Sequence, residues 1–179
     1  MERCRMVFSG SGGQGVITAA IILAEAAVLH EGLEAVQTQA YGAAARGGAT
    51  RSDVIIADTP INFPKVNQPN VLVCLTQEAY NKFVGIIRPG GLLLSDPRFV
   101  SPSLKVDAMQ REMPMYETVM EKIGKPIVFN ICMLGAILGL TELVQPESIM
   151  KTLETRIPPG FLDMNRQALE LGLALARNE

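Results

Sequence analysis

Short apolar runs alternate along the whole chain with longer apolar or amphipathic stretches, and glycine or proline separates most of them. Residues 5–9, 71–75 and 92–94 are apolar and brief, which suits strands buried on both faces. Residues 34–41 and 52–58 predict two more strands, and 104–108 an edge strand. Helices are expected over 14–30, 77–87, 116–124, 131–143 and 146–154. A last amphipathic helix over 161–176 follows from Met164, Ala168, Leu171 and Leu175 at helical spacing. Thr76 and Asn130 are placed as N-caps and Gly32 as a C-cap. This alternation predicts an α/β fold: a single domain over residues 1–179, three-layer α/β/α, with a Rossmann-like, mostly parallel sheet. Ligands of such sheets bind beyond the carboxyl ends of the strands, so the first strand-to-helix turn and the loops after Tyr41 and Asp58 are expected at one rim.

That first turn is Gly10-Ser11-Gly12-Gly13-Gln14-Gly15. Glycine lets a ligand approach the backbone amides, and the following helix directs its unpaired N–H groups and positive dipole end to the same place. An anion is the natural guest. A tight packing turn would read similarly, but four glycines in six residues exceed what a turn requires. Two common nucleotide chemistries fit poorly. Residues 35–51 hold no acid to bind the ribose hydroxyls of a nicotinamide dinucleotide. A phosphate-binding loop for nucleoside triphosphates needs Gly-Lys-Ser/Thr, where this chain has Gly15-Val16-Ile17.

Catalytic side chains are scarce. His30 is the only histidine and ends a helix, where it compensates the dipole. Asp53, Asp58 and Asp96 lie at strand ends without His or Cys neighbours and read as turn and cap residues. Cys4, Cys74 and Cys132 are far apart in apolar surroundings, which suits reduced, buried thiols and gives no cluster site within this chain. The residues alone therefore describe a binding module without its own reaction centre and without a metal site.

With 16 Lys plus Arg against 18 Asp plus Glu and no basic stripe, nucleic acid is not an expected partner. The apolar run 16–29 is interrupted by Glu25 and is too short to span a bilayer, so no membrane partner is expected. The N-terminus carries no export signal, and a cytoplasmic location is expected. Apolar residues at 48%, nine Met and few charges suit a subunit that covers apolar surface with others, as they suit a large core.

Three segments occur together: Gly10-Ser-Gly-Gly-Gln-Gly-Val16, Tyr41-Gly-Ala-Ala-Ala-Arg46-Gly47-Gly48 and Ser52-Asp53-Val54-Ile55-Ile56. With Pro89-Gly-Gly-Leu-Leu-Leu-Ser-Asp96 and Asn130-Ile-Cys-Met-Leu-Gly-Ala136, they make a chain that resembles the gamma subunit of the 2-oxoacid:ferredoxin oxidoreductases along nearly its whole length. The resemblance implies one subunit of an enzyme that oxidatively decarboxylates a 2-oxoacid such as 2-oxoglutarate, passes electrons to ferredoxin and delivers the acyl group to coenzyme A. It implies thiamine diphosphate and 4Fe-4S clusters in partner subunits, and an isolated chain without turnover. For this chain it implies a role in assembly and in contacting coenzyme A. The binding residues expected are Gly10, Gly12, Gly13, Gln14, Gly15, Arg46, Gly47 and Gly48. Residues 41–48 could equally pack against the catalytic subunits. A stand-alone NAD(P)-dependent oxidoreductase or nucleotide-binding module is the alternative.

Overall fold

A computed structural model describes residues 3–40 and 48–178. The chain runs β1 (Cys4–Gly10), α1 (Val16–Glu31), β2 (Glu34–Ala40), β3 (Thr50–Ala57), β4 (Val71–Cys74), α2 (Gln77–Phe83) and β5 (Gly91–Ser95). It continues with β6 (Ala108–Glu112), α3 (Met115–Lys122), α4 (Phe129–Thr141), α5 (Pro146–Arg156) and α6 (Leu162–Arg177). The six strands form one sheet in the order β2-β3-β1-β4-β5-β6.

Strands β1, β4, β5 and β6 pair in parallel, whereas β3 runs antiparallel to both β1 and β2. The expected α/β fold with a mostly parallel sheet holds, with one reversed strand. The reversal has a simple cause. A parallel return needs a crossover of about a dozen residues or more, and only residues 41–49 join β2 to β3. Strand β3 therefore comes straight back and inserts between β2 and β1, buried along nearly all its length like a parallel strand. One expectation is corrected in consequence: the loop after Asp58 leaves from the rim opposite the Gly10–Gly15 turn.

Alternate residues of the strands feed two cores. Met6, Phe8, Val54, Val73 and Leu94 meet α1 and α3–α6 on one face. Val7, Ile55, Leu72 and Leu93 meet α2 on the other. Helices α1 and α4 lack an apolar stripe because they are covered on most sides, α1 between the sheet, α4 and α5, and α4 beneath α6.

Helix ends are tied across the fold. Thr76 Oγ1 accepts from Ala79 N at 3.1 Å, the expected cap. Gly32 closes α1 at φ 66°. Glu31, the last residue of α1, accepts from Gln145 N at 2.9 Å and from the Ser148 hydroxyl at 2.5 Å, so it caps α5 from another helix. Arg156 of α5 returns a bidentate ion pair to Glu25 of α1. Other boundaries shift: the 77–87 helix ends at Phe83 and tightens into a 3-10 turn, and the edge strand lies at 108–112 rather than 104–108. Asn130 is the second residue of α4, not its cap. No helix among the described residues is long and apolar enough to cross a membrane.

Candidate functional site

Strand β1 delivers the chain to the parallel-strand rim, where Gly12–Gln14 form a single 3-10 turn and Gly15 takes a left-handed conformation, φ 72°, before α1 begins. Two of the four glycines serve the fold. A Cβ on Gly10 would lie 2.5 Å from Gln14 Oε1 and 3.2 Å from Leu75 Cβ. A Cβ on Gly15 would lie 2.7 Å from Asn130 Nδ2, in a conformation that already disfavours side chains. Gly12 and Gly13 are different. Neither has positive φ, and a Cβ on either would meet nothing within 4 Å.

Gln14 braces the turn. Its Nε2 donates to Leu75 O at 2.8 Å, beyond the end of β4, and its Oε1 accepts from Ser11 N at 2.9 Å. Asn130, from the head of α4, donates through Nδ2 to Gly15 O at 3.3 Å. The turn is thus held from the end of β4 and from α4.

Residues Gly12–Gly15 form one wall of a cavity of about 460 Å³ between the starts of α1 and α4 and the 157–165 segment. Ile22, Leu153, Ile157 and Met164 make it apolar, while Ile127 (77% exposed) and Phe161 (54% exposed) flank its mouth. Two asparagines line it. Asn165 donates through Nδ2 to Phe161 O at 2.8 Å, and like Asn130 it is more than nine-tenths buried. Of the expected binding residues, Gly12, Gly13, Gln14 and Gly15 line this cavity, and Gly10 supports them from below. The sequence pattern does not single out Asn165, Ile127 or Phe161. An isolated amide at the head of the apolar stretch of α4 is the one legible signal, and by type and place it reads as a cap.

Arg46 and Gly47 lie outside the described residues, and Gly48 is half-buried. The ends of that loop share the rim with the turn, since Thr50 pairs with Gly10 and Arg51 with Ala40. Yet Ala40 and Ala49 line a separate concavity of about 750 Å³ on the α2 face. There Arg51 pairs with Asp53 at 2.6 Å and donates to Val66 O at 2.6 Å. Asp53 therefore anchors the 60s loop from within β3 rather than ending a strand.

Asp96 follows β5 at the same rim as the turn and is fully buried. Its carboxylate accepts from Arg98 N at 2.9 Å and from Tyr116 N at 2.7 Å, capping α3 from a distant strand. Burial raises its pKa above the ordinary carboxylate value, and the backbone donors only partly oppose this. A raised folded pKa means stability that is present below the ordinary value and lost as pH climbs through the folded one. The variant Asp96→Asn carries an amide that cannot ionise. The stability difference between wild type and this variant should therefore move in favour of the variant as pH rises through that window, measured by urea unfolding. A difference independent of pH would reject the assignment. The thiols are inert at neutral pH, with Cys74 and Cys132 pushed up to about 12 by burial. Cys4, expected to be buried, is half-buried, and burial still raises it to about 11.

Comparison with known proteins gives the site a family. The model of the pyruvate ferredoxin/flavodoxin oxidoreductase family matches residues 5–175. The chain is 46% identical to the 2-oxoglutarate synthase subunit KorC of Methanocaldococcus jannaschii, over 94% of this chain and 91% of that one. The crystal structure of the gamma subunit of a keto/oxoacid ferredoxin oxidoreductase from Geobacter sulfurreducens superposes with a TM-score of 0.90 at 38% identity, covering 99% of this chain and 98% of that one. The same fold, at 21% identity and a TM-score of 0.89, forms 32% of a longer chain of the 2-oxoglutarate:ferredoxin oxidoreductase from Magnetococcus marinus, solved with 2-oxoglutarate, coenzyme A and succinyl-CoA bound. These relatives give no support to a stand-alone nicotinamide-dependent enzyme. The matched span, the identity and the superposition together show that this chain belongs to the pyruvate ferredoxin/flavodoxin oxidoreductase family, as a chain of the gamma-subunit type.

Proposed function

We propose that this chain is the gamma subunit of a coenzyme A-dependent 2-oxoacid:ferredoxin oxidoreductase, with 2-oxoglutarate as its oxoacid, and that its Gly10–Gly15 turn receives phosphate oxygens of coenzyme A. Thiamine diphosphate and the iron–sulfur clusters are held by partner subunits. One observation carries the turn's role: Gly12 and Gly13 lack side chains although the chain's own conformation and packing would admit them. Bare amides kept open beside a helix start are what a close-approaching anion needs. Coenzyme A offers a pyrophosphate and a 3′-phosphate.

Arg46 adds a guanidinium from the loop that starts and ends at the same rim, with Gly47 and Gly48 permitting approach. Purification from the native source should recover this chain with thiamine- and cluster-binding subunits. The assembled complex should oxidise 2-oxoglutarate in a coenzyme A-dependent way, and the isolated chain should not. Arg46→Ala in the assembled complex should raise the KM for coenzyme A by a factor equivalent to about 1 to 3 kcal/mol, the worth of one charge-assisted contact. An unchanged KM with normal assembly rejects the role of Arg46.

A further inference from the structure

The corner of the sheet at β2 and β3 is covered on one side only. Helix α1 packs on one face of both strands, whereas α2, on the other face, lies over β1 and β4. Strand β2 is outermost, pairs with β3 and no other described strand, and is exposed over residues 38–40. Beside it lies the concavity of about 750 Å³, bounded by the ends of β2 and β3, the 60s loop and the end of α2. A bare sheet face next to a free strand edge is a place where another chain adds cover.

The charge of this corner is one-sided. Arg51, Lys65 and Lys82 line the concavity against the single carboxylate of Asp53, which Arg51 already satisfies at 2.6 Å. Glu78, one turn before Lys82, accepts from Ala49 N at 3.3 Å. Lys65 and Lys82 are exposed and have no carboxylate partner among the described residues. Arg51 and Lys82 also stand 5.5 Å and 5.4 Å from the centre of the Phe83 ring, so two cations gather on one aromatic side chain. Phe63, two residues before Lys65 on the same loop, is 58% exposed. These features suit a chain better than a small anion. The two free ammonium groups sit on separate elements in solvent, where a lone ion pair contributes little, but an exposed aromatic anchor and a strand edge are what one polypeptide uses to hold another. Residues 41–47 of this chain, which connect β2 to the same corner, carry Arg46 and no acid, so the complementary charge comes from elsewhere. We propose that the β2–β3 corner is the docking surface for an acidic segment of a partner subunit, with carboxylates on Lys65 and Lys82 and an apolar contact on Phe63. The proposal rests on the chain's reading as a gamma subunit and adds to it which face meets a partner and by what chemistry.

The test compares the full chain alone with the assembled complex. A carbodiimide, which joins an amine to a carboxylate in contact with it, should link Lys65 and Lys82 to Asp or Glu residues of one partner subunit. Acetylation by an N-hydroxysuccinimide ester should modify both lysines in the isolated chain and neither in the complex. Lys65→Glu combined with Lys82→Glu should weaken association with the partner subunits by about tenfold or more, because like charges then face each other. Thermal unfolding of the isolated double variant should match the wild type, since both positions are exposed. Lys65→Arg combined with Lys82→Arg should associate normally, and Phe63→Ala should weaken association without altering its dependence on ionic strength. Equal acetylation of both lysines in the two states, with normal assembly of the charge-reversed variant, overturns the docking surface. Coenzyme A-dependent oxidation by that same complex would leave the gamma-subunit reading standing. If the wild-type chain purifies from its native source without partner subunits, that reading has itself failed. Carbodiimide links between two copies of this chain would assign the corner to self-association, and protection of the lysines in the isolated chain by phosphate or coenzyme A would assign it to a small anion. Either outcome rejects the proposal.

Discussion

Gly172→Ala is expected to be among the most damaging single-methyl additions this fold can suffer. Helices α4 and α6 cross with their backbones in contact: a Cβ on Gly172 would fall inside the carbonyl of Cys132 and 2.6 Å from Ala136 N, and a Cβ on Gly135 would fall inside the carbonyl of Leu169. Gly139 faces Ala176 one turn further along. Small residues four apart on both helices thus make the crossing. The obstacles are main-chain atoms, which no side-chain rotation relieves, so the helices must separate and open the core around Leu134, Ile137 and Leu169. Overpacking usually costs about 1 to 3 kcal/mol, and a backbone clash belongs at or above the top of that range, about 3 kcal/mol or more. For a chain of this size that lowers Tm by about 10 °C. Gly85→Ala is the control, since a Cβ there meets nothing within 4 Å. It should change stability by less than about 0.5 kcal/mol. Equal urea midpoints for the two variants would show that the crossing is not close-packed.

The second large effect separates function from folding within one turn. Gly13→Val should fold and assemble like the wild type, because the position has ordinary φ and open space. It should nevertheless impair coenzyme A use by the assembled complex about tenfold to a hundredfold, since a branched side chain over the amides displaces the ligand. Gly15→Val should do the reverse in order of severity. With φ at 72° and Asn130 Nδ2 2.7 Å from the new Cβ, it destabilises the chain before any ligand is added. Thermal unfolding and the KM for coenzyme A, measured on both variants, distinguish the cases. A Gly13→Val complex with normal kinetics would mean that nothing approaches the turn closely.

Much of this arrangement is legible in the order of residues. The run 5–9, the glycines after it and the apolar stretch behind them specify strand, turn and helix through strictly local chemistry, and Thr76 and Gly32 cap as their types suggest. What local patterns leave open depends on chain direction and on distant contacts. Strand β3 has the apolar pattern of a parallel strand, and only the short connection 41–49 reveals its reversal. Asn130 has the right type and place for a cap, but the turn it supports is more than a hundred residues away, at Gly15. Asn165 and Phe161 come from the start of α6 and Ile127 from the turn before α4, segments that line the cavity with the glycine turn only in the folded chain. The glycines can be counted in the sequence, whereas sorting them into two that pack and two that stay open requires the surroundings of each.

The contact between α4 and α6 also sets a time order. Phe161, Met164 and Asn165 come from the start of the last helix, and that helix is held against α4 through Gly172 and the residues beyond it. A nascent chain still missing this final segment can complete every strand of the sheet and still lack one side of the chamber. A polypeptide ending before residue 160 should therefore form the sheet and yet lack the wall that Phe161, Met164 and Asn165 supply.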